Sequence, residues 1–442
     1  MPLCQAPKTM NWTFLLLVAV LFTATTSKAA RPNLLLILAD DVGCETLGCY
    51  GGSTYQTPKI DRLAEQGLRF THCYAMPVCH PTRVTLLSGC YPFRLGNPGW
   101  GSYPRKEEQN TIAHAMGDAG YATAVAGKWQ LSLLKNDPQH PHRMGFDQYS
   151  LFGWHEGARY HDPLIWQNGE IREDTDGKYG PDLYVDFLID FIKKNREKPW
   201  FAFYSMALCH DVTDDLKAPV VHAHGKDRYL NYAEMMASMD ECVGRLVSAI
   251  DEMELRDNTV VMFTTDNGTA GRSKLRAIGN QNKFEYEKVT SKLGDQMIPG
   301  GKGKLTDTGT NVPLIVRWPQ EIHQSGISDV LVDMSDFFPT CAELAGGKLP
   351  PDRSLDGHSF TPLLEGEAFS AREFAYAQHQ GKFWVRTQQY KLYGDGKLYD
   401  VTSDPLEKKT IAADNQSRQA AAARAKLTEV IKQLGVQAEA NK

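Results

Sequence analysis

The chain has 442 residues, 42% of them hydrophobic and 23% charged, which suits a globular protein with one large domain and a small one. A formal net charge of -5 excludes a basic field for nucleic acid. Tandem repeats and long blocks of like charge are absent, which excludes solenoid and tail-like architectures.

The first element is a targeting segment. Lys8 precedes an apolar run from Trp12 to Phe22, and Ser27-Lys28-Ala29-Ala30 supplies small residues near a cleavage point. Residues 1–30 therefore read as a secretory signal peptide, with Met10 as an alternative start. The run is short for a membrane span of ~20 residues, and nothing past Ala30 is long and apolar enough to be one. The expected location is periplasmic or secreted. Leu34 to Leu38 is a continuous apolar run ending at Asp40-Asp41, the pattern of a strand buried on both faces. A helix is expected near Thr57 to Gln66. Cys79-His80-Pro81-Thr82-Arg83 then opens an apolar helical run that stops at Ser88-Gly89. Further helices are expected at Thr111 to Ala119, Tyr184 to Lys194 and Tyr232 to Met253, with a strand at Trp200 to Tyr204. Thr259 to Thr265 repeats the design of the first strand and ends at Asp266-Asn267. From about Ala368 the texture changes to short antiparallel strands, Phe383 to Thr387, Tyr390 to Tyr393 and Lys397 to Tyr399, closed by a polar helix from Ser417 to Leu434. The expected architecture is α/β, with a large, mostly parallel sheet flanked by helices. Residues 31–367 are expected to form the main domain, and 368–442 a C-terminal antiparallel sheet-and-helix subdomain.

Three features carry chemistry. Cys79 sits at a helix start, where backbone N–H groups and the helix dipole favour negative charge, and Arg83 lies one turn later on the same face. Pro81 suits that first turn, where its missing N–H costs nothing. Asp40, Asp41, Asp266 and Asn267 offer only oxygen ligands, which suits Ca²⁺ or Mg²⁺ rather than zinc. Both acid pairs end buried strands, where ligands bind in open α/β sheets. Read singly, each pair is equally a turn after a strand. Nine cysteines form no zinc motif. Cys4 leaves with the signal segment, and the seven besides Cys79 read as buried thiols or as partners in some disulfides.

The Cys79–Arg83 pentapeptide resembles the modification motif of the type I sulfatases. In that family a separate enzyme, a formylglycine-generating or anaerobic maturation enzyme, oxidises the cysteine to formylglycine. The resemblance extends along the chain, from Asn33–Asp41 through Gly120–Trp129 and Thr264–Gly268 to Gly300–Gly303 with Val312–Val316, all in the family's order. It implies the alkaline-phosphatase-like fold and hydrolysis of a sulfate ester. It also implies a calcium ion held by Asp40, Asp41, Asp266 and Asn267 together with the residue derived from Cys79. Arg83 would stabilise the formylglycine hydrate, and Lys128 and Lys302 would contact the sulfate. His210, after the Trp200–Tyr204 strand, resembles the histidine that protonates the leaving alcohol.

The chain departs from the family pattern at Gln130, where Lys-Trp-His is usual, and at Asp307 and Asn311, where Glu and Arg are frequent. Gln130 can hydrogen-bond but cannot transfer a proton at neutral pH, and His80 is a candidate to take that role. Trp100, His155, Arg159, His161, His222 and His224 lie in polar-aromatic loops and are candidates for a sugar site. The expected partner is a sulfated small molecule or saccharide, with no nucleic acid and no membrane span in the mature chain. The rival readings are a phosphate or phosphonate ester hydrolase on the same scaffold, and a non-catalytic binder of sulfated glycans.

Overall fold

A computed structural model describes residues 31–212, 228–278, 283–351 and 353–437, together with Met1. The rest of the expected signal segment, and His222 and His224, lie outside the described residues. Residues 31–442 form one compact unit. No helix among the described residues is long and apolar enough to cross a membrane.

A ten-stranded sheet runs through the molecule. Its strands in chain order begin with β1 (Asn33–Ala39), β2 (Leu68–Tyr74), β3 (Ala122–Gly127), β4 (Gln148–Phe152), β5 (Ile165–Gln167), β6 (Glu170–Ile171), β7 (Trp200–Ser205) and β8 (Thr259–Thr265). The strands Leu314–Arg317 and Gly326–Asp333 complete it. The centre, in the order β8, β1, β7, β3, β4, is parallel throughout. Leu314–Arg317 runs antiparallel between β2 and β8, and β5 and β6 are antiparallel at the far edge, so the sheet is mixed around a parallel core.

The apolar runs that predict β1 and β8 are buried along their whole length. Their side chains alternate between two hydrophobic cores. Leu35 and Ile37 face one, with Ala202 and Tyr204 of β7 and the helices Gly180–Asn195 and Tyr232–Glu252. Leu34, Leu36 and Leu38 face the other, with Phe201, Phe203 and the helices Cys79–Ser88 and Ile112–Asp118. A strand with an unbroken apolar centre is buried on both faces, which exclude water, and each large side chain so buried contributes about 1.5–3 kcal/mol.

The C-terminal part has a four-stranded antiparallel sheet, Ala375–His379, Lys382–Arg386, Tyr390–Tyr393 and Leu398–Asp400, covered by the helix Arg418–Leu434. Ser417 caps that helix, its side chain accepting from the Ala420 N–H. The hydrophobic cluster beneath it takes in Tyr74, Met76 and Tyr91 from the main body. Among the described residues, eight cysteines are thiols, with Cys44 and Cys49 partly exposed and the other six buried.

Candidate active site

Hydrogen bonds between neighbouring strand ends bring the candidate residues together. The Asp266 N–H donates to the Ala39 carbonyl (3.0 Å), the Asp40 N–H to the Leu208 carbonyl (2.8 Å), and the Lys128 N–H to the Ser205 carbonyl (2.6 Å). Asp40 and Asp41 leave β1, Asp266 and Asn267 leave β8, and Lys128 leaves β3, all at the carboxyl edge of the parallel block. Gly127 makes this approach feasible. It has φ 100°, and a Cβ there would lie 2.2 Å from the Ser205 carbonyl oxygen.

Cys79 is the first residue of its helix, and its Sγ lies 3.5 Å from Asp40 Oδ1. One ligand atom from each of Asp40, Asp41, Cys79 and Asp266 lies within 4.8 Å of the others, and all four residues are buried. Three cations interleave with these acids. Arg83 donates to Asp266 Oδ2 (2.7 Å) and Asp40 Oδ2 (3.3 Å), Lys128 pairs with Asp40, and Lys302 donates to Asp41 Oδ2 (2.7 Å). Burial and the neighbouring Asp40 charge push the Asp266 carboxyl up. Burial works the same way on Asp40, but the Lys128, His210 and Arg83 charges outweigh it and hold that carboxyl low. Burial first, then Asp266 and Asp40, push the Cys79 thiol well above its ordinary range, so it is a neutral thiol and a poor nucleophile as it stands.

The donor set fits a hard cation. Asn267 Nδ2 donates to Asp41 Oδ1 (2.8 Å), while Asn267 Oδ1 is buried with no hydrogen-bond partner among the described residues. A buried acceptor without a donor is costly, and a cation beside the carboxylates would satisfy it.

His210 stands at the edge of this cluster, a ring nitrogen within 4.8 Å of ligand atoms of Asp40 and Cys79. Its Nδ1 lies 3.0 Å from Asp211 Oδ1 and 3.1 Å from Arg159 Nη1. Asp211, held low despite burial by His210 and Lys274, is a neighbour that sequence reasoning did not single out. Ser205, which accepts from Arg83, is another.

A cleft of ≈ 1240 Å³ opens over Cys79, His210 and Lys302. Trp100 and His155 line it, as does Gln130. Arg159 is buried behind it, its guanidinium 4.7 Å from the Trp154 ring centroid. His161 packs against Tyr179 and Tyr229 and is not among the lining residues. The opposite wall comes from the C-terminal part, with Tyr376 and the hairpin tip His379–Gln380–Gly381–Lys382. Sequence reading begins the C-terminal strands only at Phe383, and nothing in the residues of this tip marks it as lining a cleft.

The sulfatase family model matches residues 32–347, and the model described as N-sulphoglucosamine sulphohydrolase, C-terminal, matches residues 302–437. Human arylsulfatase A is 31% identical, over 85% of this chain and 78% of its own. N-acetylgalactosamine-6-sulfatase of Sus scrofa is 28% identical, over 87% of this chain and 78% of its own. The crystal structure of Ps i-CgsB in complex with k-i-k-neocarrahexaose superposes with a TM-score of 0.71, at 26% identity, covering 92% of each chain.

Proposed function

Because this chain belongs to the sulfatase family, with its alkaline-phosphatase-like fold, and is a sulfuric ester hydrolase, we propose that its substrate is a sulfated carbohydrate and that the nucleophile is formylglycine made from Cys79. The observation that carries this reading is the convergence, at one helix start, of a neutral buried thiol, three carboxylates, an unpartnered Asn267 oxygen and three cations. Asp40, Asp41, Asp266 and Asn267 are the residues that would hold Ca²⁺, or Mg²⁺ in its place. That ion would supply charge to polarise a sulfate oxygen. Formylglycine would supply an oxygen nucleophile and a route for releasing sulfate that a serine lacks.

The remaining work falls to this chain's own side chains. Lys302, half-buried and lining the cleft, would contact an ester sulfate over Cys79, while Lys128, buried and paired with Asp40, would add fixed positive charge beneath it. Arg83 orients Asp40 and Asp266 and adds fixed positive charge beneath the nucleophile. Preorganised cations in a dry site stabilise charge that shifts toward the leaving oxygen. His210 faces the cluster from the cleft side and is placed to give that oxygen a proton. Carbohydrate is favoured by the breadth of the cleft, its mixture of polar and aromatic lining residues and the exposed Trp100. Two of the similar proteins also carry saccharides in their names. The N-terminal segment supports export to the periplasm or beyond, and because Cys79 is buried in the folded chain, a maturation enzyme would act on it before folding is complete.

A screen for inorganic sulfate release over defined sulfated saccharides, with 4-nitrophenyl phosphate as the counter-substrate, tests the reading. Turnover of at least one saccharide, well above phosphate, is expected. Preference for the phosphate ester would overturn it.

A further inference from the structure

Gln130 is 5% exposed, lines the cleft beside Cys79 and His80, and holds a left-handed backbone with φ 61°. Its Oε1 is buried and has no hydrogen-bond partner among the described residues. The backbone at this position is occupied with something else. The Gln130 carbonyl accepts from the Gly101 N–H (3.2 Å), and His80 Nε2 lies 2.8 Å from the Ser102 carbonyl oxygen. These two contacts pin the loop that carries Trp100 to the nucleophile corner. Trp100 is 44% exposed, lines the cleft and makes T-shaped contacts with Trp154 (5.1 Å) and His155 (5.0 Å).

We propose that Gln130 Oε1 and the Trp100 ring form the subsite for the leaving alcohol, and that the subsite selects a polyhydroxylated ring. The inference rests on the carbohydrate reading above and deepens it. An acceptor that is buried and unpartnered needs a donor. A ring hydroxyl next to the sulfate ester supplies one, whereas a steroid or a simple phenol has none to spare. The apolar face of a pyranose covers the indole, whose quadrupole and area favour such contact. A site built to bind a hydroxyl rejects the analogue lacking it, because its own polar group is then left unpaired. In this arrangement Gln130 is a specificity residue rather than a proton carrier, and His80 positions the Trp100 loop.

The test compares kcat/KM for a substrate saccharide from the release screen with that for 4-nitrophenyl sulfate, which has no free hydroxyl. The wild type and Gln130→Met are assayed, both normalised to formylglycine content by peptide mass spectrometry. The saccharide-to-aryl ratio is expected to fall about tenfold to a hundredfold in Gln130→Met. Singly deoxygenated analogues give a second readout that needs only folded wild type. One hydroxyl deletion should cost about tenfold or more in the wild type, and that same deletion should cost little in the variant. An equal loss on both substrates would place Gln130 on the shared nucleophile and overturn the proposal. So would an unchanged ratio with no sensitive hydroxyl. A wild type that hydrolyses the aryl sulfate but no saccharide would instead remove the carbohydrate reading, and this inference with it.

Discussion

Cys79 shows how much depends on a single side chain whose ordinary chemistry is suppressed. Burial between Asp40 and Asp266 keeps the thiol protonated, so a thiolate mechanism is disfavoured from the outset. Cys79→Ser should fold, because it changes one buried atom, yet lose nearly all turnover. Circular dichroism and sulfate release check the two halves of that statement, and a serine variant with substantial turnover would sink it. Asp266 carries a second prediction. It pairs with Arg83 and sits beside three other groups that could reach one cation. Asp266→Ala should weaken Ca²⁺ binding by more than about 100-fold in calorimetric titration, since even indirect partners of a metal site cost 10–100-fold. Unchanged Ca²⁺ affinity would show that the ion is held elsewhere. At this scale the sequence was informative where residue type and spacing suffice, as with the acids and with Cys79 and Arg83. It was silent on Gln130 Oε1 and on the Ser205 and Asp211 contacts. Those depend on which strand ends lie side by side, and no local pattern records that.

Among the elements, the segment around Asp307 links the two sheets. Asp307 begins the short helix Asp307–Thr310 and accepts both Arg386 Nη1 contacts (2.9 and 2.7 Å) and Lys391 Nζ (3.0 Å) from the C-terminal strands. Lys391 also pairs with Glu407, and the Arg386 guanidinium lies 4.4 Å from the Tyr74 ring centroid. Asp307→Asn leaves Arg386 buried without its counter-charge and should cost about 3 kcal/mol, measured as a lower Tm. Burial pushes the Asp307 carboxyl up, but Arg386 and Lys391 outweigh it and hold it well below the usual carboxylate range. A carboxyl lowered in the folded state stabilises above its unfolded value of 3.8, and that gain is lost as pH falls below it. The Tm gap between wild type and Asp307→Asn should therefore be full at neutral pH and close under acid. A gap independent of pH would contradict the assignment. β1 and β8 were legible because burial on both faces keeps their central positions, Leu34–Leu38 and Val260–Phe263, apolar. β2 was not picked out, although Leu68-Arg69-Phe70-Thr71-His72 alternates as a half-buried strand does. The strand pair Arg272–Ile278 with Lys283–Lys288 is rich in charge, and the pair Thr290–Leu293 with Gln296–Pro299 is too short to show a period, so neither was picked out. The Ala375–His379 strand was missed for want of any flanking turn signal before it.

At the scale of the whole molecule, the fold class followed from strand–helix alternation, while the mixed edges of the sheet did not. The antiparallel Leu314–Arg317 strand reads like any other short apolar run, and direction is not encoded in a run. The cleft is likewise a property of the assembled chain, because one wall comes from residues near 100 and 130 and the other from the hairpin tip near 380. A cation that binds only the folded chain ties these parts together energetically. Saturation at 100 times Kd adds about 2.7 kcal/mol, or about 3 °C in Tm for a chain of this size. Differential scanning calorimetry with Ca²⁺ and with chelator should show that shift, and identical melting curves would argue against a site formed on folding. The central claim is that turnover flows through a residue made from Cys79. It is tested most directly by preparing the protein at several degrees of maturation, measuring the formylglycine fraction at position 79 by peptide mass spectrometry, and plotting sulfate release from a saccharide substrate against it. The account predicts a line through the origin. Full turnover with Cys79 unmodified, or none with Cys79 fully converted, would contradict it.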